Sequence, residues 1–278
     1  MHAYNCDKIK TQPNLSFSQL YLIILIVTLN EIVLAQIYLT QLFMMDQVYP
    51  FEWNENSKED QDLRVKFWTG HNSIGVQTVT STPLGVSMPL AFKKNEVGKK
   101  IWNMTVRPDD IWIITYPKSG TTMSQELLWQ MSRGCDVTSD ESKAQLFTRS
   151  PFLGFGGLVG PCEETNINQP RPPFMEDAVA YAETLPSPRI IKSHLPISML
   201  SPKVLETSKV IVMARNVKDA CVSFYHHEKL LPHHAYTGTF ESYVEFYMKG
   251  EVAYGNYWTH IKVHTKNIYQ HQKFIPTL

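Results

Sequence analysis

Three short stretches carry residue types suited to moving an anionic group. The first reads Thr115-Tyr116-Pro117-Lys118-Ser119-Gly120-Thr121-Thr122 and gathers a lysine, several hydroxyls and a glycine. A glycine lets backbone approach an anion closely, and hydroxyls and the ammonium donate to it. If a helix opens at Thr121, its free N–H groups and positive dipole end face the same place. The second stretch, Lys192-Ser193-His194-Leu195-Pro196, pairs a cation with a histidine stiffened by a following proline. His194 is the natural general base, because the ordinary imidazole pKa lies near operating pH. The third is Arg215-Asn216, a second candidate anion site. Each has a plainer alternative. The loop lacks the GxxxxGK[ST] order, so a turn carrying a lysine fits as well. Arg215 could pair with Asp219, and a histidine after a strand is often structural.

The segments around them should supply the positioning. Ile111–Thr115 is an apolar run bounded by polar residues, the pattern of a buried parallel strand. A helix is expected from Thr121, with Met123, Leu127, Leu128 and Met131 on its inner face and Gly134 at its end. Strands are expected at Arg189–Lys192 and Lys209–Ala214, and helices at Val217–Leu231 and Phe240–Ile261. Residues 46–100 read as short strands and a helix, and residues 134–188 are rich in glycine, proline and polar residues. Strands alternating with helices predict an α/β fold, a parallel central sheet flanked by helices with a P-loop-like anion-binding loop. In such sheets ligands bind beyond the carboxyl ends of the strands, so loop 116–122, Lys192-Ser193-His194 and Arg215 should face one crevice.

Composition narrows the partners. The 278 residues include 26 Lys+Arg and 26 Asp+Glu, so no basic excess favours nucleic acid as a main partner. Cys6, Cys135, Cys162 and Cys221 are scattered, form no CxxC pair, and read as free thiols of a reducing, cytoplasmic compartment. The apolar stretch 20–43 allows other readings: a membrane anchor interrupted by Asn30 and Glu31, a signal peptide ending near Ala35, or an extension ahead of a domain starting near Asp46.

Taken in order, TYPKSGTT (115–122), KSHLP (192–196) and ARNVKDACVSFYH (214–226) resemble the cytosolic sulfotransferase family, over roughly Met88 to Trp258. The resemblance implies transfer of a sulfonyl group from 3′-phosphoadenosine 5′-phosphosulfate (PAPS) to a hydroxyl or amine of a small acceptor such as a phenol, steroid or other alcohol. It implies no metal. Carried over by position, Lys118, Ser119, Gly120, Thr121 and Thr122 surround the 5′-phosphosulfate, and Arg215 and Ser223 hold the 3′-phosphate. His194 deprotonates the acceptor, while Lys118 and Lys192 stabilise the developing charge. Two departures stand out. Met123 occupies the position where the family has a tryptophan that stacks on adenine. The family's later Tyr-Glu-Asp and Arg-Lys-Gly…Gly-Asp-Trp-Lys segments do not occur, so a domain over 46–261 that is incomplete at its C-terminus is expected, with 262–278 as an unmatched tail. The family's homodimer is not expected of this chain.

Three rivals remain. A metal site would draw on His226, His227, His233, His234 and Glu228, but Pro232 separates the two histidine pairs, and exposed polar histidines are the simpler reading. A magnesium-dependent phosphohydrolase needs an acidic partner where Arg215-Asn216 stands. A catalytically impaired family member that binds nucleotide or a partner is the third. An apolar acceptor pocket could draw on Phe152, Phe155, Tyr236 and Phe240.

Overall fold

Strand β4, Ile111–Thr115, lies at the centre of a three-stranded sheet, between β5, Ile190–Ser193, and β6, Lys209–Met213. Both pairings are parallel. Ile111 sits opposite Ile190 and Lys209, and Thr115 sits opposite Met213, so all three strands end at one edge. Alternation along β4 splits its side chains between two faces. Trp112 and Ile114 enter the larger apolar core, while Ile113 packs with Ile190 and Trp129 on the other side. This is a computed structural model, and it describes residues 48–70, 75–158 and 171–270. The expectations for residues 1–45, for Cys6 and for Cys162 fall outside the described residues.

A second sheet is antiparallel, with β1 (Glu52–Glu55), β2 (Thr78–Thr82) and β3 (Ser87–Pro89) in that order. Val79 and Met88 place its inner face on the larger core. Four longer helices follow: α1, Thr121–Ser132; α2, Val217–Leu230; α3, Phe240–Lys249; and α4, Tyr257–Gln270. A separate aromatic cluster joins Trp68, Tyr116, Phe224, Tyr236, Tyr243, Phe246 and Tyr257 behind α2.

Three expectations need correction. Of the methionine and leucine stripe expected on the inner face of α1, only Leu128 packs inward, against Ile113 and Trp129; Met123, Leu127 and Met131 are 67%, 56% and 60% exposed. Thr121, Ser124, Gln125 and Trp129 face inward instead. Gln125 Nε2 donates to the Ser150 carbonyl at 2.9 Å, so a polar residue is buried because a distant loop satisfies it. The single helix expected over 240–261 is two helices. Gly250 has φ 76°, and Asn256 caps both sides of the break. Its Nδ2 donates to the Met248 carbonyl and its Oδ1 accepts from the Trp258 and Thr259 amides. Helix α4 also continues past the helix end expected at about Ile261, and it carries His264, which is buried.

The beginnings of the strands are pinned as firmly as their ends are open. Asp110 and Arg189, each just before a strand, form a fully buried bidentate pair at 2.7 and 2.6 Å. Arg189 also donates to the Thr105 and Ala182 carbonyls, and Asp110 accepts from the Arg107 amide.

Candidate functional site

Because β4, β5 and β6 run in register, the residues following them converge. Lys118 follows β4, His194 follows β5 with Lys192 inside it, and Arg215 follows β6. Together with Gly120, Thr121, Thr122, Met123 and Ser223 they line one cavity of about 640 Å³. The loop after β4 is shaped for close approach. Lys118 adopts φ 66° and Gly120 φ 94°, and open space lies above Gly120. Ser119 does not line the cavity, but its Oγ is buried without a hydrogen-bond partner. A free hydroxyl, a bare glycine and the start of a 12-residue helix in one turn suit a phosphate or sulfonate group. The expected Arg215–Asp219 pair is absent. Arg215 Nη1 donates to the Lys118 carbonyl at 3.0 Å, and the Tyr257 hydroxyl donates to the Arg215 carbonyl.

His194 is oriented by its backbone neighbour. Its Nδ1 lies 2.8 Å from the Thr115 carbonyl, which can only accept, so Nδ1 carries the proton and Nε2 the lone pair. The rings of Phe152 and Tyr254 flank it at 5.0 and 5.3 Å, and His260 Nε2 donates to its carbonyl at 3.0 Å. Burial first, and then the Lys192 ammonium, push the His194 pKa well below the ordinary value. That corrects the expectation of an unperturbed pKa: without an anion in the cavity the imidazole stays neutral through the physiological range, with its base nitrogen free.

The cations are unusual in their company. Lys192 is nearly buried, and its pKa falls to about 8 through desolvation and then the nearby Lys118. Its Nζ rests 4.4 Å from the Phe152 ring centroid. Burial and then Arg215 lower the pKa of Lys118. None of the three cations belongs to an ion pair among the described residues.

One side of the wall is apolar. Phe152 and Phe155 line the cavity, as do Phe147, Leu158, Met175 and Tyr254, which no pattern in the sequence singles out. Tyr236 and Phe240 belong to the aromatic cluster behind α2 instead. The histidine group is also not uniformly exposed. His234 and Glu228 are buried and paired at 2.9 Å, and Trp68 Nε1 donates to the same carboxylate. His227 lines the cavity one turn after Ser223. That spacing on a helix already known to carry Ser223 was the signal available for finding it.

The sulfotransferase domain model matches residues 108–276, a span that continues past Ile261. Mouse (Mus musculus) sulfotransferase 1A1 is 38% identical over 176 residues, covering 63% of this chain and 55% of that protein. Rabbit (Oryctolagus cuniculus) sulfotransferase 1C2 is 35% identical over 189 residues, 68% of this chain and 58% of that protein. The chain thus spans little more than half the length of these curated relatives. Among solved structures, a retinol dehydratase in complex with retinol and PAP superimposes with a TM-score of 0.67 at 26% identity, covering 80% of this chain and 68% of that one. A retinol dehydratase complex with androsterone and the inactive cofactor PAP gives 0.67 at 25%.

Proposed function

Since the chain belongs to the sulfotransferase family, we propose that it transfers the sulfonyl group of PAPS to a hydroxyl of a small apolar acceptor, with amines a second acceptor class. The observation that carries this is the meeting of Lys118, Lys192 and the unprotonated Nε2 of His194 at one cavity. His194 takes the acceptor's proton as the acceptor oxygen bonds to sulfur. The bond from sulfur to the 5′-phosphate oxygen breaks, and Lys118 and Lys192 stabilise the charge left there. Ser119, Gly120, Thr121 and Thr122 hold the 5′ side, Arg215 and Ser223 the 3′-phosphate, and Met123 packs on adenine. This chemistry calls mainly for positioning and electrostatic stabilisation, which two lysines and a helix N-terminus supply. The phenyl rings of Phe147, Phe152 and Phe155 favour an apolar acceptor, in the class of the retinol and androsterone held by the dehydratase structures. Free Cys135 and Cys221 fit a cytoplasmic setting. Among the described residues no helix is long and apolar enough to cross a membrane.

The test is His194→Ala, assayed with labelled PAPS against phenols, sterols, long-chain alcohols and amines. Turnover should fall about 10²–10⁴-fold, while PAP affinity stays near that of the unaltered chain. An unchanged rate would remove His194 from the reaction. If the unaltered chain binds PAP tightly yet sulfonates no acceptor, the nucleotide-binding alternative replaces the enzyme.

A further inference from the structure

Lys118 is the most exposed to conflict of the site's cations. It projects from a loop with left-handed backbone, half-buried, between Lys192 and Arg215. An ammonium in such a place is unfavourable unless something accepts from it. The acceptor is His227 Nδ1, 3.4 Å from Lys118 Nζ. We infer that His227 is a positioning residue for Lys118: its imidazole holds the lysine at the cavity wall and yields it to the donor's anionic groups when they arrive. The inference rests on the sulfonyl-transfer reading above for its purpose, though not for the contact itself.

The chemistry of the contact fixes the histidine's state. An ammonium has donors only, so Nδ1 of His227 must hold a lone pair and Nε2 the proton. Two histidines thus face one cavity in opposite tautomers, since His194 carries its proton on Nδ1. The surroundings keep His227 uncharged. Burial, then Lys118 and His234, lower its pKa to about 4, and Lys192 adds to this. The one carboxylate that would favour the charged form, Glu228, is engaged by His234 and Trp68. Neutrality matters to the role. A carboxylate in place of His227 would bind the ammonium strongly and repel the donor. A neutral imidazole at a long hydrogen-bond distance orients the lysine and leaves its full positive charge for the incoming anion.

Two variants and one spectrum test this. His227→Phe keeps a ring and removes the acceptor, while His227→Asn restores an oxygen near the Nδ1 position. The phenylalanine variant should lose about tenfold in kcat, with the acceptor KM little changed, and the asparagine variant should recover most of that loss. Equal losses in the two, or none in the first, would overturn the proposal. Nitrogen-15 imidazole spectra of the donor-free chain give a readout that needs no turnover. His227 should be neutral with an unprotonated Nδ1 at neutral pH, and its resonance should shift in Lys118→Met. A charged His227, or one protonated on Nδ1, would overturn it too. A correct tautomer in a chain that sulfonates nothing would leave the lysine contact standing and sink the transfer reaction instead.

Discussion

The two ends of the parallel sheet treat charge in opposite ways. At the starting edge Asp110 and Arg189 are both buried, and each meets the other and backbone partners. At the finishing edge, at the other ends of the same strands, Lys118, Lys192 and Arg215 gather beside His194 with no carboxylate paired to them among the described residues. A buried pair with every lone pair and proton satisfied holds a structure in one arrangement. Cations collected without a counter-charge leave a site short of one, and an anionic ligand is the natural completion. Both ends gather charged residues in or beside the strands of one sheet, so residue type alone does not separate a structural charge from a functional one. Compensation does.

The contrast is broken most directly at the starting edge. Asp110→Ala leaves the Arg189 guanidinium buried and unpaired, and should destabilise the chain by about 3–5 kcal/mol. Urea denaturation at neutral pH measures it. Asp110→Leu combined with Arg189→Met should be far milder, because the double change leaves no orphaned charge. A loss under about 1 kcal/mol in the single variant would mean that the pair is not structural.

A smaller effect is expected for Arg215→Ala. PAP should bind about 10–150-fold more weakly, the equivalent of one charge-assisted hydrogen bond of roughly 1.5–3 kcal/mol. A nucleotide lacking the 3′-phosphate should weaken less. It should still weaken somewhat, because Arg215 also holds the Lys118 carbonyl and so the loop proposed to hold the 5′ side. Equal weakening of both nucleotides, by titration calorimetry, would make Arg215 a loop anchor alone.

Much of this arrangement was legible in the sequence, for reasons that are local. The strand, loop and helix from Ile111 to Gly134 announce themselves by an apolar run, a proline and glycine break and a helical period, and the register of three such strands brings Lys118, His194 and Arg215 together. Illegible features depend on partners far along the chain. Gln125 is buried because Ser150 accepts from it, and that turns α1 so that Met123, Leu127 and Met131 face outward. His227 reaches Lys118 across 109 positions. The low pKa of His194 comes from burial and from Lys192, neither of which residue type discloses.

Lys192 gives the smallest effect and the sharpest form of the comparison, because its sign is opposite to that of Asp110. In the donor-free chain below about pH 8, Lys192 is protonated both folded and unfolded, so the folded state carries the whole unfavourable transfer of an ammonium into the wall of the cavity. Between about 8 and the ordinary value of 10.5 the unfolded chain still binds the proton and the folded chain does not, so stability rises with pH across that window. Lys192→Met keeps the length of the side chain and removes the charge. At pH 7 it should therefore stabilise the donor-free chain by about 1–3 kcal/mol, less the contact the ammonium makes with Phe152. That advantage should fade as pH climbs toward 10.5. Under the proposed function the same variant should bind PAP more weakly and lose turnover, because the donor's anion would relieve that unfavourable charge. Thermal melts at a series of pH values, with and without PAP, separate the two contributions. If Lys192→Met instead melts lower at pH 7 without PAP, the ammonium is already compensated by groups in the folded chain, and the finishing edge of the sheet is built on the same plan as the starting one.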